Sequence, residues 1–326
     1  MRHLSVLATI SALFLLFSCE PPVKSTLTEK NYLFLGHTYD WLAENRIDPR
    51  LEFVDYSNFS GVWLGGDICA RTTKDSLTLN YLDDLFQLKN ENTHWAWGNH
   101  DLMEGDANLL RGATGRESYY THYDDGLLLL VLNTNLYWHH PWNPPMEDCE
   151  AKTEHFNWLR GVLDTVQVAS HLVVLHHHGL LNELKKQAEE TVTLGNVDAI
   201  PVRPLCDSIL SFTDEIHPQL IQLEERGIEV VLVSGDVGMR SKGYEFTTTE
   251  GITILGSGVN NSLDMEFIPE YVTNLEPDSV LTLQYTPHDR QLSWSFVRLN
   301  ELVTANLKEG TDPSADSRIQ RLFSKY

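Results

Sequence analysis

The sequence predicts an α/β layered fold. Three observations carry that expectation: short apolar runs alternate with helical patterns, polar clusters close several of those runs, and the last two runs alternate like antiparallel strands. Strand-like runs fall at 32–35, 62–64, 94–97, 127–133, 172–175, 228–234 and 252–255, where leucine, aromatic and β-branched residues concentrate. Between them, 76–90 places Leu79, Leu82, Leu85 and Phe86 at helical spacing. The same spacing recurs at 154–166 through Trp158, Leu159, Val162 and Leu163, and at 217–226 through Leu220, Ile221 and Leu223. Near the end, 280–286 and 291–299 alternate around Pro287-His288-Asp289-Arg290, with Trp294 and Phe296 on one face. Strands interleaved with helices place a site at the carboxyl edge of a sheet.

With 326 residues, 42% of them hydrophobic, the chain can bury a large core, and no internal repeat divides it. One continuous domain is expected over 29–300, followed by a polar, peripheral tail at 301–326. The stretch from Asn182 to Asp214, with Lys185, Lys186, Pro201 and Pro204, reads as a lid or as a plain surface excursion. A formal net charge of −22 without a Lys or Arg run argues against nucleic-acid binding. At the start, Arg2 and His3 precede an apolar stretch at 4–17, too short for a spanning helix and suited to a signal peptide over 1–18. Its end, Leu16-Phe17-Ser18-Cys19, resembles the lipobox of bacterial lipoproteins. The resemblance implies lipidation of Cys19, a tether at 19–28 and a membrane contact at the bacterial envelope; an ordinary signal peptide is the alternative. Cys69, Cys149 and Cys206 then remain for packing or a single bridge.

Four polar clusters follow apolar runs: Gly66-Asp67, Gly98-Asn99-His100-Asp101, His176-His177-His178 and Gly235-Asp236. Carboxylate, amide oxygen and imidazole are donors for first-row metals, and a histidine beside them can protonate a leaving group. In this order the clusters resemble the calcineurin-like metallophosphoesterases over roughly 29–300. Membership would imply a four-layer β-sandwich flanked by helices, of α/β (α+β) class, with one or two Mn, Fe or Zn ions per chain. The resemblance makes Asp67 the bridging ligand, Asn99 and His176 further ligands, His100 the group facing phosphate and the leaving group, and Asp101 the residue that orients its ring. His177 and His178 become substrate-facing candidates.

Two motifs depart from the family pattern. His37 stands where the family has Asp, and Tyr39 where it has His; Asp236 replaces the first His of the fifth motif and Gly238 cannot replace the second. One ion thus keeps Asp67, Asn99 and His176 and gains Asp236. The other would have Asp67, His37 and possible ligation by Tyr39, which reads equally as a packing residue, with Asp40 as a neighbouring carboxylate. The implied function is hydrolysis of a small-molecule or lipid phosphoester, with non-catalytic binding on the same fold as the alternative. Tyr137, Trp138 and Trp142, with His139 and His140, line a cleft or pack under nearby prolines. Gly256-Ser257-Gly258 reads as a turn at a strand end.

Overall fold

Two mixed β-sheets lie face to face between two layers of helices in a computed structural model that describes residues 29–137, 146–181, 184, 211–237, 242–259 and 277–324. One sheet contains β1 (Lys30–Leu35), β4 (Gly61–Leu64), β5 (Thr93–Trp95), β12 (Ser279–Thr286) and β13 (Gln291–Arg298), in the order β13-β12-β1-β4-β5. Within it β1, β4 and β5 run parallel, and β12 and β13 form an antiparallel edge. The other sheet has the order β10-β11-β9-β8-β7-β6, built from β6 (Tyr120–Asp124), β7 (Leu127–Val131), β8 (His171–His176), β9 (Glu229–Ser234), β10 (Gly243–Thr247) and β11 (Thr253–Ser257). Its four inner strands are parallel, and both edges are antiparallel.

Period-two alternation decides which side chains meet. Phe34, Trp63, Leu129, Val131, Val173, Leu175, Val231, Val233 and Leu255 point into the space between the sheets. Their neighbours point outward: Leu33, Leu35, Val62 and Leu64 toward one helix layer, and Leu172, Val174, Val230 and Leu232 toward the other. Against the first layer pack α1 (Ser76–Phe86), α3 (Ala107–Thr114) and α6 (Leu299–Ala305), and against the second α4 (Met146–Thr165) and α5 (Phe212–Glu225). Burying one such leucine stabilises the fold by about 2 kcal/mol, so both faces of each sheet contribute. Helix α1 begins where the Asp75 carboxylate accepts the Leu77 N–H and stops at Phe86, the last residue of its apolar pattern and four short of the expected 76–90, because Gln87 turns left-handed.

Several expectations are corrected. Residues 301–324 are not merely a polar, peripheral tail: Leu302 and Val303 of α6 are buried, as are Ile319 and Leu322 of α7 (Ser317–Ser324). Periodicity in α7 is confined to two turns, too short to stand out in a polar sequence. Gly256 and Ser257 are not a turn but belong to β11, where a Cβ at Gly256 would lie 2.2 Å from the Tyr244 ring. Polar strands β6 and β10 and the hairpin of β2 (Tyr39–Asp40) and β3 (Ala43–Ile47) carry little apolar alternation and escaped the pattern. Cys69 is a buried free thiol and Cys149 is disulfide-bonded. Cys19, the signal segment, the tether, Cys206, Gly238, the aromatic group after Tyr137 and nearly all of 182–210 lie outside the described residues.

Candidate metal centre

The site forms where the carboxyl ends of both sheets converge. Strand ends from opposite sheets touch there because inward-facing positions are glycine: a Cβ at Gly36 would sit 2.6 Å from the Gly235 Cα, and one at Gly235 only 2.0 Å from the Gly65 carbonyl oxygen. Sheets usually pack about 10 Å apart, so this contact needs residues without side chains. His37, Asp67 and Asp236 follow Gly36, Gly65 and Gly235 directly or within two positions. His37 and Asp67 both adopt left-handed backbone, at φ 51° and 54°, which turns their side chains back toward the junction.

Asp67 is the centre of the cluster. It is 1% exposed, its Oδ1 accepts the His100 backbone N–H at 2.8 Å, and its Oδ2 faces His177 Nε2 at 3.3 Å and His37 Nε2 at 3.7 Å. Burial works against ionisation of Asp67, but His177, His100 and His37 outweigh it and hold its carboxyl well below the usual carboxylate range. His177 responds in the opposite sense. Burial disfavours its charge, yet Asp67, Asp236 and the Gly65 carbonyl raise its pKa to about 9. Desolvation dominates at His37 and lowers it to about 3. Asp236 is buried at the same junction, and its backbone N–H donates to the His177 carbonyl at 3.0 Å.

The triple histidine divides its work by facing. His176 is still in β8 and shares the outward face of Leu172 and Val174; His177 shares the inward face of Val173 and Leu175. His177, rather than the His176 that the sequence reading singles out, therefore faces Asp67 across the junction, and the alternation along β8 carries that facing. His176 donates from Nδ1 to the His178 carbonyl at 2.8 Å, and burial lowers its pKa to about 4. His178 is not simply substrate-facing: its Nε2 lies 3.2 Å from the Asn99 amide oxygen, and its Nδ1 lies 3.0 Å from the Thr134 hydroxyl. That hydroxyl also accepts the His178 backbone N–H at 3.0 Å. A neutral ring fits this chain of bonds: the hydroxyl donates to Nδ1 and Nε2–H donates to Asn99. Thr134 was missed, although Asn133-Thr134-Asn135 also closes an apolar run.

Asp101, expected to orient the His100 ring, meets other groups. His100 Nδ1 meets the Ala70 carbonyl at 3.1 Å, which fixes the ring without Asp101. The Asp101 carboxylate instead accepts from the backbone N–H groups of Asp67, Ile68 and Gly98 at 2.9, 3.0 and 2.9 Å, from Trp95 Nε1 at 3.1 Å and from the Thr72 hydroxyl at 2.7 Å. It ties the Asp67 loop to the Asn99 loop. Burial and the Asp67 charge push its pKa up to about 6, against the pull of those donors. Tyr39 lies inside the site, with its ring centroid 4.7 Å from that of His37 and 5.1 Å from that of His100. Asp40, the neighbouring carboxylate, is instead held from both oxygens by the Arg318 guanidinium of α7 at 2.5 and 2.7 Å.

The donor chemistry fits a metal ion in one specific respect. His177 gives its Nδ1–H to the Gly65 carbonyl at 2.8 Å, so in the neutral ring the Nε2 lone pair confronts the Asp67 carboxylate. Two acceptors at this separation require a proton or a metal cation between them, and 3.3 Å is close to the roughly 3.4 Å between donors on one tetrahedral ion. Asn99 and Asp236 adjoin this pair. Among the described residues, no three His, Cys, Asp or Glu side chains close into a single chelating group. Neither a protein-family model nor a curated protein matches the chain.

Proposed function

We propose that the chain is a metal-dependent hydrolase of phosphoester bonds on a calcineurin-like metallophosphoesterase fold, held at the bacterial envelope through a lipid on Cys19. The observation that carries the reading is the buried Asp67–His177 pair, whose facing acceptors call for a cation at the junction of two sheets. Asp67, His177, Asn99 and Asp236 would hold one Mn, Fe or Zn ion, and His37 with Tyr39 would flank a second beside Asp67. When bound, such an ion lowers the pKa of water and polarises a phosphoryl oxygen. The chain's own residues do the remaining work. His178 holds the Asn99 amide, Asp101 fixes the distance between the Asp67 and Asn99 loops, and the Ala70 carbonyl orients His100. With Nδ1 donating to that carbonyl, a protonated His100 offers Nε2–H to the departing alkoxide.

Binding without turnover is the second reading. It is favoured by the proton that His177 retains when its pKa is raised to about 9, because that proton can serve in place of a metal. Metal analysis, followed by hydrolysis of chromogenic mono- and diesters with added Mn²⁺, separates the two. The expected outcome is near-stoichiometric metal and turnover that Asn99→Ala reduces by about a hundredfold. Equal rates for the two proteins would remove the catalytic reading.

A further inference from the structure

Among the described residues, part of the surface beside the site is apolar although its floor is polar. Among the described residues seven large apolar side chains are at least 36% exposed, and three of them, Trp41, Leu42 and Met103, lie in the loops that carry Tyr39 and Asn99. Scattered exposure needs no explanation; a concentration beside a polar site does. Trp41 is connected to the site through rings. Its centroid is 5.2 Å from that of Tyr39, which in turn is 5.1 Å from His100, the residue on the leaving-group side. Asp40, between Tyr39 and Trp41, is 3% exposed and bound by Arg318, so the turn sets an indole rather than a carboxylate beside Tyr39, and the hairpin's exposed charges, Glu44 and Arg46, follow on β3.

We infer that the exposed Trp41 ring, backed by the buried Tyr39 ring, is a stacking surface for a planar aromatic ring on the alcohol side of the phosphoester, which makes aryl and heteroaryl esters preferred over alkyl esters. The inference rests on the proposed phosphoester site and specifies its substrate class. Indole is the side chain best suited to this use, because it offers a large polarisable face at little cost in conformational entropy. Leu42 extends the apolar edge of the surface, and its exposure of 58% leaves room for a ligand ring.

Phosphonates test the idea apart from catalysis, since hydrolysis does not touch their carbon–phosphorus bond. Titration calorimetry of the full chain with Mn²⁺ would compare phenylphosphonate with ethylphosphonate. Wild type is expected to bind the aryl compound about tenfold more tightly. Trp41→Leu, which keeps apolar bulk without a ring, should reduce that ratio to about twofold or less, and Trp41→Phe should retain most of it. A wild-type ratio near one, or a ratio unchanged in Trp41→Leu, overturns the inference and leaves the phosphoester site standing. Failure of both phosphonates to bind overturns the site and the inference together.

Discussion

His177, after β8, and His37, after β1, face the same carboxylate, Asp67, but the segments around them are held in opposite ways. His176, His177 and His178 are fixed locally: their ring nitrogens meet the carbonyls of His178 and Gly65 and the Thr134 and Asn99 side chains. His37 is tied to the Asp67 loop by its backbone N–H on the Gly66 carbonyl, but Tyr39 beyond it is fixed from a distance: it sits on a hairpin of two short strands, and the residue after it is anchored by Arg318, which is 278 positions away. The first half of the site is thus a property of one strand end, and the second depends on the C-terminal helix having folded against it.

The largest expected effect breaks the β8 half. His177→Ala leaves the buried Asp67 charge without its cation, which costs about 3–5 kcal/mol of stability, and it reduces bound metal to about a tenth or less. His176→Ala should cost about 1 kcal/mol and leave metal content near wild type, because its ring faces the helix layer. Urea unfolding with metal analysis on both variants checks the assignment. If the losses are reversed, His176 is the ligand and the facing argument fails.

Asp101→Ala comes next and acts on both halves through the loop between them. Five donors lose their acceptor, three of them backbone N–H groups, and the expected cost is about 3 kcal/mol. Activity at saturating metal should fall less than in His177→Ala, since the clamp touches neither the His100 ring nor His177. A loss of activity without a loss of stability would instead restore Asp101 as the partner of His100.

Breaking the β1 half from afar gives a smaller effect. Arg318→Ala should cost about 1–2 kcal/mol, discounted because the guanidinium is 29% exposed while the carboxylate it leaves is buried. Arg318→Ala combined with Asp40→Asn should recover part of that loss, because no buried charge is then left unpaired. Tyrosine fluorescence or an NMR signal from Tyr39 should move in the single variant, and the His177 signals should stay in place. Movement of both would mean that the two halves are one cooperative unit.

This contrast also explains what the sequence discloses. Strands β1, β4, β7, β8, β9 and β11 are buried on both faces and read as apolar runs, so the sheet ends and the residues after them were legible. Asp67 and Asp236 follow such strands, and Asn99 and His100 follow the short buried β5. Assignment within His176-His177-His178 needed the facing of β8, which the alternation contains once Leu175 is known to point inward. Nothing local reveals that Asp40 meets Arg318 or that Asp101 spans two loops, because both depend on chain segments brought together by packing. Tyr39 and Trp41 belong to the same class: a two-residue strand has no periodicity to read.

The smallest expected signal is a proton. In the metal-free chain the folded pKa of His177, about 9, lies above the ordinary imidazole value, so its pairing stabilises fully below about pH 6.5 and that contribution is lost as pH rises through about 9. Asp67 is depressed, so its own contribution is present above the usual carboxylate range and disappears only as pH falls through the lowered value. A metal ion on His177 Nε2 must displace the proton there. Calorimetry in two buffers of different ionisation enthalpy should therefore record release of about one proton per metal at about pH 7, declining toward zero above about pH 9. His37, lowered to about 3, is already neutral and should contribute nothing to that count. Release of no proton at neutral pH would mean that the metal enters through the β1 half and leaves the Asp67–His177 pair intact, which would invert the roles assigned to the two strand ends.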